Sequence, residues 1–199
     1  MLTESELVKI GREGERLTAN VLRKVFGDQV RLYNNLYFTD SKGKPYQVDS
    51  LALTPWGLLV IETKHWNGSV YGKVDAERWR YVPHGRHMRA RTVYSPIRQN
   101  RGHVGKLRGT LGRALPMYSC IVFSHHGVDL ELTPQSIPNV YSLIKFEIFL
   151  ADLRKRPVVL TDEDMQKYHE TIMQVRCIDQ KTQLAQVKYA KRAKRRYGQ

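Results

Sequence analysis

Gln47-Val48-Asp49-Ser50-Leu51 and Val60-Ile61-Glu62-Thr63-Lys64 place two carboxylates and an ammonium at the ends of two apolar runs. The runs have the length and branched content of buried strands. Side chains alternate along a strand, so Glu62 and Lys64 share one face. Core packing has no use for an acid and a base there. Phosphodiester hydrolysis with a divalent metal uses both, as an oxygen ligand for a hard cation and a positive charge near the attacking water. Thr54-Pro55-Trp56-Gly57 joins the runs by a tight turn, which puts Asp49 and Glu62 on neighbouring strands. Two acids and the Thr63 carbonyl meet the needs of Mg²⁺, which keeps several waters. On spacing alone, a strand ending in a solvated Glu-Thr-Lys is the competing reading.

Working outward, residues 4–26 read as a helix with Leu7, Ile10, Gly14, Leu17, Val21 and Val25 on one stripe. Thr3 is its N-cap, with Glu6 three residues on. Gly11 and Gly14 each cost roughly 1 kcal/mol in a helix, which predicts close packing at both. Glu15 falls on the shoulder of the apolar face, at the seam between helix and sheet. Strands are predicted at 30–38, 46–53, 58–64, 68–73, 78–82, 117–124 and 140–144, with a basic loop over 83–95. Further helices are predicted at 96–115, 145–156 and 161–177, the last with Asp164 completing a capping box on Thr161. The class is α/β, with a central mixed β-sheet flanked by helices. Residues 1–125 form the core. Residues 126–180 supply a strand and helices that complete it or pack on it, and 181–199 are a basic tail. Lys188–Arg196 lacks an apolar stripe and reads as a frayed helix or disordered tail.

The chain of 199 residues carries 33 Lys+Arg against 19 Asp+Glu, a formal charge of +14. That excess points to a polyanion, either nucleic acid or an anionic membrane. No apolar run approaches the roughly 20 residues of a membrane span, and the basic tail lacks apolar anchors, so no membrane partner is expected. The acidic start Glu4-Ser5-Glu6 is unlike a signal peptide. Cys120 and Cys177 show no CxxC spacing, and two reduced thiols fit the cytoplasm. From Arg78 through Val128 there is no Asp or Glu. Arg78, Arg80, Arg86, Arg89, Arg91, Arg98, Arg101, Lys106 and Arg108 in that span suit phosphate contact. Trp66, Tyr71, Trp79, Tyr81 and Tyr94 interleave with them and suit stacking on unpaired bases. Gln99, beside Asn100, opens the helix at 96 as a polar contact for substrate or water. His125-His126 has no further ligand at zinc spacing, and no serine-hydrolase elbow, P-loop or dinucleotide fingerprint is present.

Taken in order, Gly11-Arg12-Glu13-Gly14-Glu15, Gln47-Val48-Asp49, Trp56 through Lys64, Gly68, Trp79 and Ser95-Pro96-Ile97-Arg98-Gln99-Asn100 resemble a known group. It is the nuclease-related domain (NERD) group of the PD-(D/E)xK, restriction-endonuclease-like superfamily. The resemblance covers most of Gly11–Leu111, with Ser95-Pro96 where the family more often has Asn-Pro. It implies a restriction-endonuclease-like core and cleavage of nucleic acid with Mg²⁺ or Mn²⁺, DNA ahead of RNA. By position it makes Asp49 and Glu62 metal ligands, Lys64 the catalytic lysine, Glu15 the auxiliary helix acid and a further metal ligand, and Gln99 the polar residue after the sheet. The competing class is a nucleic-acid-binding or accessory module without turnover. The C-terminal region lies outside the resemblance, and its open roles are a homodimer contact or a protein partner.

Overall fold

Along the chain the elements are α1 (Glu4–Phe26), β1 (Arg31–Thr39), β2 (Pro45–Thr54), β3 (Gly57–Lys64), β4 (Gly68–Lys73), β5 (Arg78–Pro83), β6 (Arg91–Tyr94), α2 (Pro96–Leu111), β7 (Met117–Phe123), β8 (Val128–Thr133), β9 (Val140–Ser142), α3 (Leu143–Arg154) and α4 (Asp162–Val175). The computed structural model describes residues 3–40, 43–85 and 88–177. Arg86 and the basic tail at 181–199 lie outside the described residues.

Two mixed sheets form, one more than expected. The larger runs β1-β2-β3-β7-β9 and the smaller β6-β5-β4-β8. In the larger sheet β1, β2 and β3 make an antiparallel meander, while β7 joins β3, and β9 joins β7, in parallel. The buried run Gly57–Glu62 makes β3 the centre of this sheet. Ala52, Leu59, Ile61 and Val122 face α1 and α3, meeting Leu22, Phe26, Phe146 and Leu150. Leu51, Leu58 and Val60 face α2 and α4, meeting Val104, Leu107, Met165 and Ile172. The smaller sheet packs Val70 and Trp79 on Ile121 and Phe123.

Local signals account for the boundaries. Thr3 and Glu6 form a capping box on α1, and Thr161 and Asp164 another on α4. The expected apolar stripe of α1 is rotated. Gly14, Thr18, Ala19, Leu22 and Phe26 are the buried line, with Leu17, Val21 and Val25 only partly covered. The predicted loop at 83–95 contains β6, a four-residue edge strand, and β8 had no predicted counterpart. The strand predicted over 140–144 stops at Ser142, whose side chain accepts the Lys145 N–H and starts α3. Helix α2 ends at Leu111, before Gly112 at φ 90°.

Two details of the ladders place the site. Asn34↔Ser50 and Leu36↔Val48 are paired, but Asn35 and Asp49, which face each other between them, are not. Pairing of β2 with β3 stops at Ser50↔Ile61. Beyond it the strands part, and Asp49 stands at the mouth of the gap.

Candidate metal centre

Asp49 spans that gap, its Oδ2 accepting the Thr63 N–H at 3.3 Å. The N–H and C=O of one strand residue leave on the same side, so the Thr63 carbonyl also faces the gap. Glu62 is 2% exposed. Its Oε1 accepts from Lys64 Nζ at 2.5 Å and its Oε2 from Gln99 Nε2 at 2.8 Å. Gln99 Oε1 lies 3.4 Å from Lys64 Nζ, so the amide bridges acid and base. Asn100 holds α2 in position for this. Its buried carboxamide donates to the Val60 carbonyl at 2.8 Å and to Ser119 Oγ at 2.9 Å, pinning the helix across β3 and β7.

Glu15 reaches the same end of the sheet from α1. Its Oε2 accepts from Asn35 Nδ2 at 2.8 Å, and Asn35 Oδ1 accepts from Gln47 Nε2 at 2.9 Å. The seam is tight one residue earlier, since a Cβ on Gly14 would fall 2.7 Å from both His65 Cβ and Ser124 Oγ. Gly11, where close packing was also expected, has nothing within 4 Å of an added Cβ and is exposed.

The charges do not balance. Burial and the charge of Glu62 push the Asp49 carboxyl up to about 7, against the pull of Lys64. Burial also raises Glu15, opposed by the Asn35 hydrogen bond and reinforced by Asp49. Burial disfavours the Lys64 ammonium, but Glu62 and Asp49 outweigh it and the pKa ends above its ordinary value. Lys64 therefore stays charged. His103, one turn beyond Gln99, has Nε2 3.9 Å from Glu62 Oε2. Burial brings it down to about 4, so it is a neutral ring stacked near Tyr46 and supplies no cation at neutral pH.

Among the described residues no three His, Cys, Asp or Glu side chains are grouped so as to hold an ion by themselves. A hard divalent cation needs less than that here. Asp49, Glu62 and the Thr63 carbonyl offer oxygens, and each Glu62 oxygen keeps a second lone pair beyond its hydrogen bond. Burial, and then the charge of Glu62, disfavour the Asp49 anion, and a bound cation would offset both. The residues fit such an ion.

The basic residues spread over several faces. Gln99, His103 and Lys106 share one shoulder of α2; the rings of Tyr46 and His103 stack, and the Lys106 ammonium lies 4.4 Å from the Tyr46 ring centroid. Lys106 Nζ is also 3.7 Å from Asp40 Oδ2. Arg101 and Arg108 are exposed on the opposite shoulder of α2. Arg98 donates to the Asp75 carbonyl at 2.8 Å. Alternation with buried Trp79 puts Arg78 and Arg80 on the outer face of the small sheet, and Arg80 lies over the exposed Tyr71. Arg89 and Arg91 are exposed. Trp79 is 1% exposed with its indole N–H on the Lys73 carbonyl, so it is no platform for a base. Trp66 and Tyr81 stack on each other with centroids 4.8 Å apart.

The structure thus brings Asp49, Glu62, Thr63, Lys64 and Gln99 together, with Glu15 beside them through Asn35. Sequence reading passed over Asn35 and His103. The signals were there: a pair of asparagines inside a strand, and a histidine four residues after Gln99. Residues 10–124, which hold every one of these groups, match the nuclease-related domain family. The chain belongs to that family. The chain is 27% identical to an uncharacterized protein of Bacillus anthracis over 184 residues, 90% of this chain and 82% of that protein. It is 28% identical to the probable kinase PglW of Streptomyces coelicolor over 148 residues, 71% of this chain and 9% of PglW. The chain therefore spans less than a tenth of that larger relative. No solved structure matches it. No helix among the described residues is long and apolar enough to cross a membrane.

Proposed function

We propose that this nuclease-related domain is a Mg²⁺- or Mn²⁺-dependent nuclease that hydrolyses phosphodiester bonds, with DNA as its substrate and the cytoplasm as its place of action. The observation that carries the reading is the pair Asp49 and Glu62 on diverging strands, with Lys64 and Gln99 locked onto Glu62. Asp49, Glu62 and the Thr63 carbonyl would hold the ion, with Glu15 adjoining. Bound there, it supplies Lewis-acid polarisation of the phosphate and acidification of water.

The protein's own groups do the rest. In the reaction water oxygen forms a bond to phosphorus as it gives up a proton to solvent, the bond from phosphorus to the leaving sugar oxygen breaks, and that oxygen takes up a proton from solvent. Lys64, held as an ammonium, is an electrostatic partner for the phosphorane and a donor that orients water. It is not a base. Gln99 keeps the Lys64–Glu62 pair in register, and buried Glu62 holds Lys64 in place. The excess of basic residues draws in the polyanion.

The test is cleavage of labelled single- and double-stranded DNA and RNA with Mg²⁺, Mn²⁺ or EDTA, comparing wild type with Glu62→Ala. Metal-dependent cutting that disappears in the variant supports the reading. Wild-type cutting by Glu62→Ala overturns it, and retained binding without any cutting favours a non-catalytic nucleic-acid-binding module.

A further inference from the structure

Strands β1 and β2 change phase together at one facing pair. On β1, Tyr33 packs toward the α2 side before the change, and Leu36 and Phe38 do so after it. On β2, Tyr46 and Val48 pack there before Asp49, and Leu51 and Leu53 beyond it. Residues two apart share a face of a strand, so each strand has shifted its alternation by one. The pairing on either side keeps one register, Asn34↔Ser50 and Leu36↔Val48, so neither strand carries an extra residue and this is no bulge.

The change is made at Asn35, whose φ is 53°. Asparagine is among the few residues besides glycine that enter this left-handed region with any ease, and such residues concentrate where strain serves a site. The residue opposite is Asp49. The Asn35 carboxamide is committed at both ends, donating to Glu15 at 2.8 Å and accepting from Gln47 at 2.9 Å. Gln47 thereby sets which way the amide is turned, presenting its N–H to the carboxylate.

We propose that Asn35 is a positioning residue of the metal site: its left-handed backbone releases Asp49 from the β1–β2 ladder toward Thr63, and its side chain holds Glu15 beside Asp49. The proposal rests on the nuclease reading of that site. Removing a side chain that orients the carboxylates of a metal site typically costs roughly 10–100-fold in metal affinity or activity.

The experiment is Mn²⁺ titration by calorimetry on the full chain, with DNA binding in EDTA and thermal unfolding in parallel. Asn35→Gly keeps access to positive φ and removes the amide. Its expected Kd for Mn²⁺ is at least about tenfold weaker, with DNA affinity in EDTA unchanged. Asn35→Val disfavours the left-handed backbone as well, and is expected to lose Mn²⁺ binding and melt earlier. Gln47→Ala, which frees the amide to rotate, is expected to weaken Mn²⁺ binding by a smaller factor. Wild-type Mn²⁺ affinity in Asn35→Gly overturns the proposal while leaving the metal site standing. Absence of Mn²⁺ binding in the wild type overturns both.

Discussion

The Lys64 ammonium sits 2.5 Å from Glu62 Oε1, with side-chain exposures of 19% and 2%. A buried pair of this kind is costly to break from one side, because the charge left behind has neither water nor partner. Lys64→Met leaves Glu62 and Asp49 facing each other, and the metal-free protein should lose about 2–4 kcal/mol in urea unfolding. Glu62→Gln/Lys64→Met should recover part of that loss, giving a coupling of at least about 1 kcal/mol. Additive single effects would mean that the pair contributes no interaction of its own.

Asp49 links the site to pH. Its folded-state pKa is raised to about 7 from an ordinary 3.8, by burial and the charge of Glu62. The folded protein therefore binds this proton more tightly than the unfolded chain. The resulting stability is fully present below about pH 4 and is lost as pH rises through about 7. Asp49→Asn, which needs no proton, should make the metal-free protein more stable at pH 8 by about 1–3 kcal/mol, and the advantage should fade toward pH 4. Urea unfolding in EDTA at several pH values measures it. The same variant should lose Mn²⁺ binding.

Two glycines of α1 give opposite expectations. Ala in place of Gly14 puts its methyl 2.7 Å from His65 Cβ and Ser124 Oγ, while Gly11 has open space. Gly14→Ala should destabilise by about 1–3 kcal/mol despite alanine's helix propensity. Gly11→Ala should gain up to about 1 kcal/mol. Thermal unfolding of the two variants compares them directly.

On the proposed reading, the two shoulders of α2 divide the basic residues of that helix, Lys106 lying with Gln99 and His103 and Arg108 opposite. A strand entering beside Gln99 and His103 meets Lys106 and leaves Arg108 behind the helix. Lys106→Ala should lower the slope of log Kd against log salt by about 1 for DNA in EDTA, and Arg108→Ala should leave it unchanged. Equal effects would put the nucleic acid on a wider surface than this shoulder.

What was legible in the residues was local. The capping boxes at Thr3 and Thr161, the turn at Pro55–Gly57 and the apolar runs gave α1, α4 and the β1–β3 meander nearly to the residue. Asp49, Glu62, Lys64 and Gln99 followed because strand alternation and helix starts determine direction. Long-range pairing was not legible. The short edge strand β6 is stabilised by β5, and β8 by β4, so neither shows in its own sequence, although Val128–Thr133 does alternate. The buried line of α1 was misplaced because Thr18 and Ala19 are ambiguous in a hydropathy pattern, and the sheet decides between faces. Asn35 went unread because its partners are distant in the chain, Gln47 twelve residues on and Glu15 twenty residues back.

The parallel joint between β3 and β7, from Leu58↔Met117 to Lys64↔Phe123, has a consequence for synthesis. Chains are made from the N-terminus, so Glu62 and Lys64 leave the ribosome well before the strand that walls them in. Residues 65–116 intervene, and α2 with Gln99 and Asn100 lies among them. Until Phe123 has followed, the central strand lacks one neighbour and the acid pair lacks its burial. Glu62 and Lys64 are thus made before the strand that completes their wall, and the site is whole only once β7 has joined β3.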